Sequence, residues 1–212
     1  MKKIALIVAL MGLLAMGSKA SAQMSFSLKA GLNVANTITE SGDIKIRHDY
    51  RLGFNAGVGL EFGINELFAI EADALFSLRG FSSNVDLGGG SKYKSTYSFF
   101  YVDIPINWKA YVFRLDNGLK FFAQVGPYVG VGLFGNYKNE YGGSKEKQSF
   151  GFGGNQGYKR IDWGLDGGLG MEYDNLSIAF IWWQGFANIA QNDPLTSKVN
   201  HSCMSIELGW KF

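Results

Sequence analysis

RLGFNAGVGLEF, residues 51–62, alternates without a break. Leu52, Phe54, Ala56, Val58, Leu60 and Phe62 share one side, and Arg51, Gly53, Asn55, Gly57, Gly59 and Glu61 the other. A period of two is the side-chain period of a β-strand. The run is long enough to cross a bilayer as a tilted strand of about 9–11 residues. Its faces also identify the solvent: bulky apolar residues fill one, glycine and ionisable residues the other. A soluble lipocalin-like barrel turns an apolar face inward and a polar face to water. Here the lean, charged face suits a lumen and the bulky one suits lipid.

The same alternation recurs at 26–34, 68–79, 100–109, 121–133, 161–173, 176–183 and 203–212. The run at 176–183 is the least clean, because Ile181 and Trp183 make its second face apolar too. Eight runs is an even number, as single-chain bacterial barrels require. The expected fold is all-β, an eight-stranded antiparallel up-and-down transmembrane β-barrel. The intervening segments alternate in length. Long ones span about 37–50, 80–96, 135–159 and 187–200; shorter ones span 63–66, 110–119 and 174–175. That pattern puts both termini in the periplasm and the long loops outside the cell.

Aromatic residues on the apolar face gather at the expected periplasmic ends: Phe62, Phe68, Trp108, Phe121, Tyr173, Trp210 and Phe212. Such a girdle fits the membrane–water interface. Pro105 and Pro127 fall inside expected strands of a closed sheet with no free edge. A hairpin centred near Leu115 sets them almost opposite each other, which predicts one shared bulge or gap in the ladder.

The chain opens with MKKIALIVALMGLLAMGSKASA. Lys2 and Lys3 precede a 13-residue apolar core, Ile4 to Met16, and Ala20-Ser21-Ala22 forms a cleavage site. The core is too short to span a bilayer as a helix. Residues 1–22 therefore read as a secretory signal peptide and residues 23–212 as the barrel. Without the leader, 17 basic residues face 18 acidic ones, a balance that gives no reason to expect nucleic-acid binding. A lone Cys203 excludes an internal disulfide, and one Cys with two His makes a structural zinc site improbable. No cofactor is expected.

GLNVAN (31–36), YVDIPINWK (101–109), VGPYVGV (125–131), WGLDGGLGMEY (163–173) and the terminal LGWKF (208–212) sample nearly the whole mature chain. In this order they resemble the PorT-like outer-membrane β-barrel family and, more distantly, the OmpA-like small barrels. The family often has an Arg-Tyr pair where this chain has Ile181-Trp182. The resemblance implies an outer-membrane location and no assigned reaction.

Two sets of residues stand out. Met204, Ile206, Leu208, Trp210 and Phe212 face outward on the last strand and look like the signal read by the outer-membrane assembly machinery. Lys29, Arg51, Glu61, Glu71, Asp73, Arg79, Asp103, Lys109, Asp162, Asp166, Glu172, Glu207 and Lys211 face inward. Mixed charges inside a barrel filled by side chains point to a paired structural network, since unpaired buried charges are costly. Lys29, Glu71, Asp73, Arg79, Asp103, Asp166 and Glu207 are its expected core, with Lys29 beside Glu207 where the first strand closes on the eighth.

His48, Asp49, His201 and Ser202 gather at the extracellular end, where some small barrels modify lipid A. Adjacent strand residues point to opposite faces, however, which disfavours His201 and Ser202 as a shared nucleophile–base pair. The segment from Gly135 to Arg160 carries Lys138, Lys145, Lys147, Lys159 and Arg160 against Glu140 and Glu146. Its GFGGNQGY stretch reads as flexible with exposed aromatics, a loop for a surface glycan or protein ligand or a plain solvated cap. The expected whole is a monomeric, non-enzymatic barrel in outer-membrane lipid. A narrow passive channel or a lipid-modifying enzyme is the alternative.

Overall fold

The computed structural model describes residues 24–41, 44–86, 92–141, 144–153, 158–190 and 198–212. The expected leader and its cleavage site lie outside them. Among the described residues ten strands form one sheet: β1 (Met24–Ser41), β2 (Ile44–Arg47), β3 (Arg51–Gly63), β4 (Phe68–Asp86), β5 (Lys92–Arg114), β6 (Lys120–Tyr141), β7 (Ser144–Phe150), β8 (Ile161–Tyr173), β9 (Leu176–Gly185) and β10 (Lys198–Lys211). Eight of them close a ring, β1-β3-β4-β5-β6-β8-β9-β10, sealed by antiparallel pairing of β1 with β10 from Ser27↔Lys211 to Glu40↔Lys198. The short β2 and β7 fold back on the upper ends of β1 and β6.

Three tight turns close one end. Asn65 Oδ1 accepts the backbone N–H groups of Leu67 and Phe68, and Asn117 Oδ1 accepts that of Leu119. The β8–β9 turn is Asp174-Asn175, with Asp174 at φ 49, the left-handed conformation that Asp and Asn tolerate. Met24, the first described residue, and Phe212 both lie at this turn end.

The faces are inverted relative to a soluble protein. Leu52 is 76% exposed and Leu169 67%, whereas Asp103 and Asp162 are 0% exposed inside. The outward surface is also banded. Phe54, Phe76, Phe100 and Phe134 form a ladder across β3, β4, β5 and β6, with centroid spacings of 6.1, 5.9 and 4.4 Å. On β3, β4 and β5 a second aromatic, Phe62, Phe68 or Trp108, stands eight residues away toward the turn end. Eight residues of strand measure about 27 Å at ~3.4 Å each, and tilt shortens this to the scale of a bilayer's apolar band. Of the seven expected girdle residues, Phe68 and Phe121 are half-buried and the other five exposed.

The prolines interrupt two ladders rather than one shared spot. On β5–β6 the pairs of Ile106 and Asn107 with Pro127 and Gly126 are missing, yet the register is the same on either side. On β4–β5 the gap falls between Ala72↔Ile106 and Leu75↔Asp103, opposite Pro105. Each proline thus turns its missing N–H toward a different neighbour. The β5–β6 register shifts occur elsewhere, at Phe100/Tyr101 and Tyr111/Phe113.

The long connections are shorter than the alternation of apolar residues implied. β4, β5 and β6 run on through 80–86, 92–99 and 134–141, and 144–150 pairs back on β6. Backbone pairing continues into water after the lipid-facing pattern has ended. The segment 135–160 is therefore largely a β-hairpin, and Phe152 in it is buried rather than exposed.

Candidate functional site: the charged lumen and its aromatic cap

The inward residues assemble in tiers. Nearest the turn end, Lys211 Nζ donates to both oxygens of Glu61 at 2.9 Å and to Glu172 Oε2 at 2.5 Å. Lys109 Nζ stands 2.8 Å from Glu61 Oε2, 3.5 Å from Glu71 Oε2 and 4.0 Å from the Phe122 ring centroid. The Tyr111 hydroxyl lies 2.9 Å from Glu61 and 3.2 Å from Glu172, so its single proton serves one carboxylate at a time or is shared between them. A mouth of about 560 Å³ opens below them, lined in part by Glu66, Arg114, Lys120 and Asp174.

In the middle, Lys29 Nζ lies 2.8 Å from Glu71 Oε1 and 2.7 Å from Asp73 Oδ2. Its expected partner Glu207 accepts instead from Asn55 Nδ2 at 2.8 Å and Ser205 Oγ at 3.1 Å. The reason is register. β1 does close on β10, but Lys29 opposes Gly209 and Glu207 opposes Gly31, so the ammonium reaches β4 instead. Inward glycines make room: a Cβ on Gly59 would fall 2.3 Å from Asp73 Oδ1, and one on Gly130 2.5 Å from Asp103 Oδ1. Asp166 is buried, makes no ion pair among the described residues, and has Asn107 as a polar neighbour.

The upper tier is built on Arg79. Its Nη2 stands 2.6 Å from Asp103 and its Nη1 3.2 Å from Asp162. Tyr101, Tyr128 and Trp183 surround the guanidinium at 5.6, 5.1 and 5.2 Å from their ring centroids, within cation–π range. Tyr128 donates to Asp162 at 3.1 Å and Trp183 to Ser205 at 3.1 Å. Arg51, also expected inside, is half-buried and reaches the Arg79 carbonyl at 3.4 Å.

Above Arg79 the lumen turns aromatic. Phe81, Phe99, Tyr101 and Phe152 form a buried cluster against Tyr97, Phe150 and Tyr158. His201, 1% exposed, sits beneath it with Nδ1 3.4 Å from Thr37 Oγ1 and Nε2 3.4 Å from Tyr101 OH. Sequence reading missed this cap, although 97, 99 and 101 continue the inward parity of β5. Ser202 lies on the outer face near Trp182 Nε1, at 3.4 Å, so it and His201 do point apart. His48 Nε2 is 3.0 Å from Thr39 Oγ1, and its ring is 4.5 Å from that of Phe81. Asp49 accepts from Asn84 at 2.7 Å. Burial holds the His48 imidazole below its ordinary range, with Asp49 pulling the other way. The four residues do not converge on one point.

Met204, Ile206, Leu208, Trp210 and Phe212 all project outward, as expected. Cys203 is free and buried. No group of three His, Cys, Asp or Glu among the described residues is placed to hold a metal ion.

Several solved structures are similar over nearly their whole length at low identity. Neisserial surface protein A is 14% identical, with 90% of this chain and 99% of that one covered and a TM-score of 0.45. The E. coli outer membrane protein W is 10% identical, with 91% and 100% covered and a TM-score of 0.43. The attachment invasion locus protein of Yersinia pestis is 14% identical, with 90% and 99% covered and a TM-score of 0.40. No curated protein matches. The family model described as outer membrane protein beta-barrel domain matches residues 18–191. With its inverted faces, its closed ring and that match, the chain belongs to the outer membrane β-barrel domain family.

Proposed function

We propose that the protein is a non-enzymatic, monomeric barrel that acts as a rigid mount for a surface-binding platform. The observation carrying this reading is the contrast between its two halves. Inside the membrane the lumen is filled by paired charges; above it β5 and β6 continue seven or eight residues past the Phe100–Phe134 belt, roughly 24–27 Å of strand. The β6–β7 hairpin presents Lys138, Lys145 and Lys147 against Glu140 and Glu146. Lys94 is placed opposite Glu140 from β5. Cations on a rigid extension suit a polyanionic surface polysaccharide; a protein ligand on the same hairpin is the alternative.

The test replaces residues 138–147 by a two-residue turn and measures retention of intact cells on beads carrying an acidic polysaccharide. Retention should fall with unchanged heat-dependent gel mobility; equal retention overturns the reading. Within the family, the YVDIPINWK and LGWKF motifs favour the PorT-like branch. Residues 1–22 are assigned as the leader, so the mature protein should begin at Gln23.

A further inference from the structure

We infer that the outer face of β9, β10 and β1 carries a seat for one phosphate-bearing lipid of the outer leaflet, with Arg47 as its headgroup ligand. The outward surface there changes character within two residues on three adjacent strands. Trp182, Met204 and Val34 lie side by side in register, and one step higher stand Gln184, Ser202 and Asn36. This step sits beside the upper aromatic belt, since Val34 pairs with Leu52, two residues from Phe54. It marks the height at which acyl chains give way to headgroups.

A groove of about 350 Å³ is cut into that boundary. Phe180, Trp182, Met204, Val34 and Ile38 give it apolar lining, and Arg47 and Tyr50 line it too. Asn36 belongs to the outward parity of β1 yet is only 2% exposed, so the groove recesses a polar amide behind the lipid-facing surface. The side chain of Arg47, a residue opposite Ile38 on the β1–β2 hairpin, makes no ion pair or hydrogen bond among the described residues.

A free guanidinium above an apolar wall, with amide and hydroxyl groups between them, matches an anionic amphiphile. Phosphate takes the bidentate fork, and an acyl chain lies along Trp182 and Phe180. The occupant is thereby a lipid and not a soluble anion, because half of the groove is apolar and faces the bilayer. This seat is separate from the hairpin platform and from the lumen.

The test is native mass spectrometry of the detergent-solubilised barrel with monophosphoryl lipid A, its dephosphorylated counterpart, and inorganic phosphate. Wild type should retain one monophosphoryl lipid. Arg47→Gln should bind it at least about tenfold more weakly, as expected for a lost charged hydrogen-bonded contact. Arg114→Gln, at the opposite end, should bind as wild type does. Ser202→Phe fills the groove from outside and should also abolish the adduct; a heat-dependent gel shift confirms that each variant is folded. Equal retention by Arg47→Gln, equal retention of the dephosphorylated lipid, displacement by equimolar inorganic phosphate, or a dimer mass in place of the lipid adduct would each overturn the assignment.

Discussion

Lys29 on β1 reaches past Gly59 on β3 to set its Nζ 2.7 Å from Asp73 Oδ2 on β4. The contact skips a strand, and it does so because the intervening residue has no side chain. Lys29→Met leaves Glu71 and Asp73 without their shared cation and should cost about 3–5 kcal/mol, the usual penalty for breaking a buried pair. Gly59→Val intrudes on the Asp73 carboxylate and on Ser27 Oγ, 2.6 Å from the added Cβ. It should cost roughly 1–3 kcal/mol by overpacking. Because both changes act on one contact, the double variant should lose less than the two losses combined. Equilibrium denaturant unfolding from lipid vesicles measures all three; strict additivity would show that the two sites are independent.

Among the described residues, Arg79 is the only cation paired with Asp103 or Asp162, and three rings surround it. Arg79→Met should therefore destabilise by about 3–5 kcal/mol. Arg79→Lys should not restore stability, since one ammonium cannot reproduce a planar fork held between two carboxylates and aromatic faces. The midpoint of the heat-dependent gel shift, taken for wild type and both variants, checks this. Full rescue by lysine would mean that charge alone matters.

How much of this was legible depends on what parity can decide. Parity fixed the face of Glu71, Asp73, Arg79, Asp103 and Asp162, because one slip would carry each into lipid. It could not fix which residue of β10 stands directly opposite Lys29, since that register joins the two ends of the chain; Lys29 opposes Gly209, and Glu207 is its diagonal neighbour. Strand ends were misjudged for another reason. Apolar alternation stops where lipid stops, whereas Ser82↔Thr96 and Tyr97↔Tyr137 still pair in water. Phe152 looked exposed because glycines surround it in sequence, and only the closed ring places a lumen mouth beneath it.

The cap and the charged tiers are separate obstructions in series. Phe99→Ala with Phe152→Ala should thus remain silent in planar-bilayer recordings, because Arg79 and its partners still fill the lumen below. Conductance steps in that variant would show that the tiers leave a continuous water path, and would favour a channel function.

Acid should loosen the β1–β2 hairpin through His48. Its folded pKa lies below the ordinary 6.5, so the unfolded form binds the proton more readily. Stability is then complete above about pH 6.5 and declines as pH falls through the lower, folded value. Hydrogen exchange at residues 36–39 and 45–48 should speed up between pH 7 and 5 beyond the intrinsic trend. His48→Phe, which keeps a ring against Phe81, should remove the excess. An unchanged excess in that variant assigns the effect to another group.

Phe212 distinguishes an assembly signal from an ordinary closing strand. Its N–H donates to the Phe26 carbonyl at 2.8 Å, and its ring lies 6.0 Å from that of Phe26, at the seam where the barrel shuts. As mere structure these contacts are small: one backbone bond at an exposed end is worth about 1 kcal/mol. Deleting Phe212 should accordingly change the unfolding midpoint little and leave spontaneous insertion into bare vesicles close to normal. If the outward Met204–Phe212 row is read by the assembly machinery, insertion into vesicles carrying that machinery should slow severalfold in the same variant. Equal slowing in both kinds of vesicle would reduce the row to one more amphipathic strand. No slowing in either would remove Phe212 from the signal.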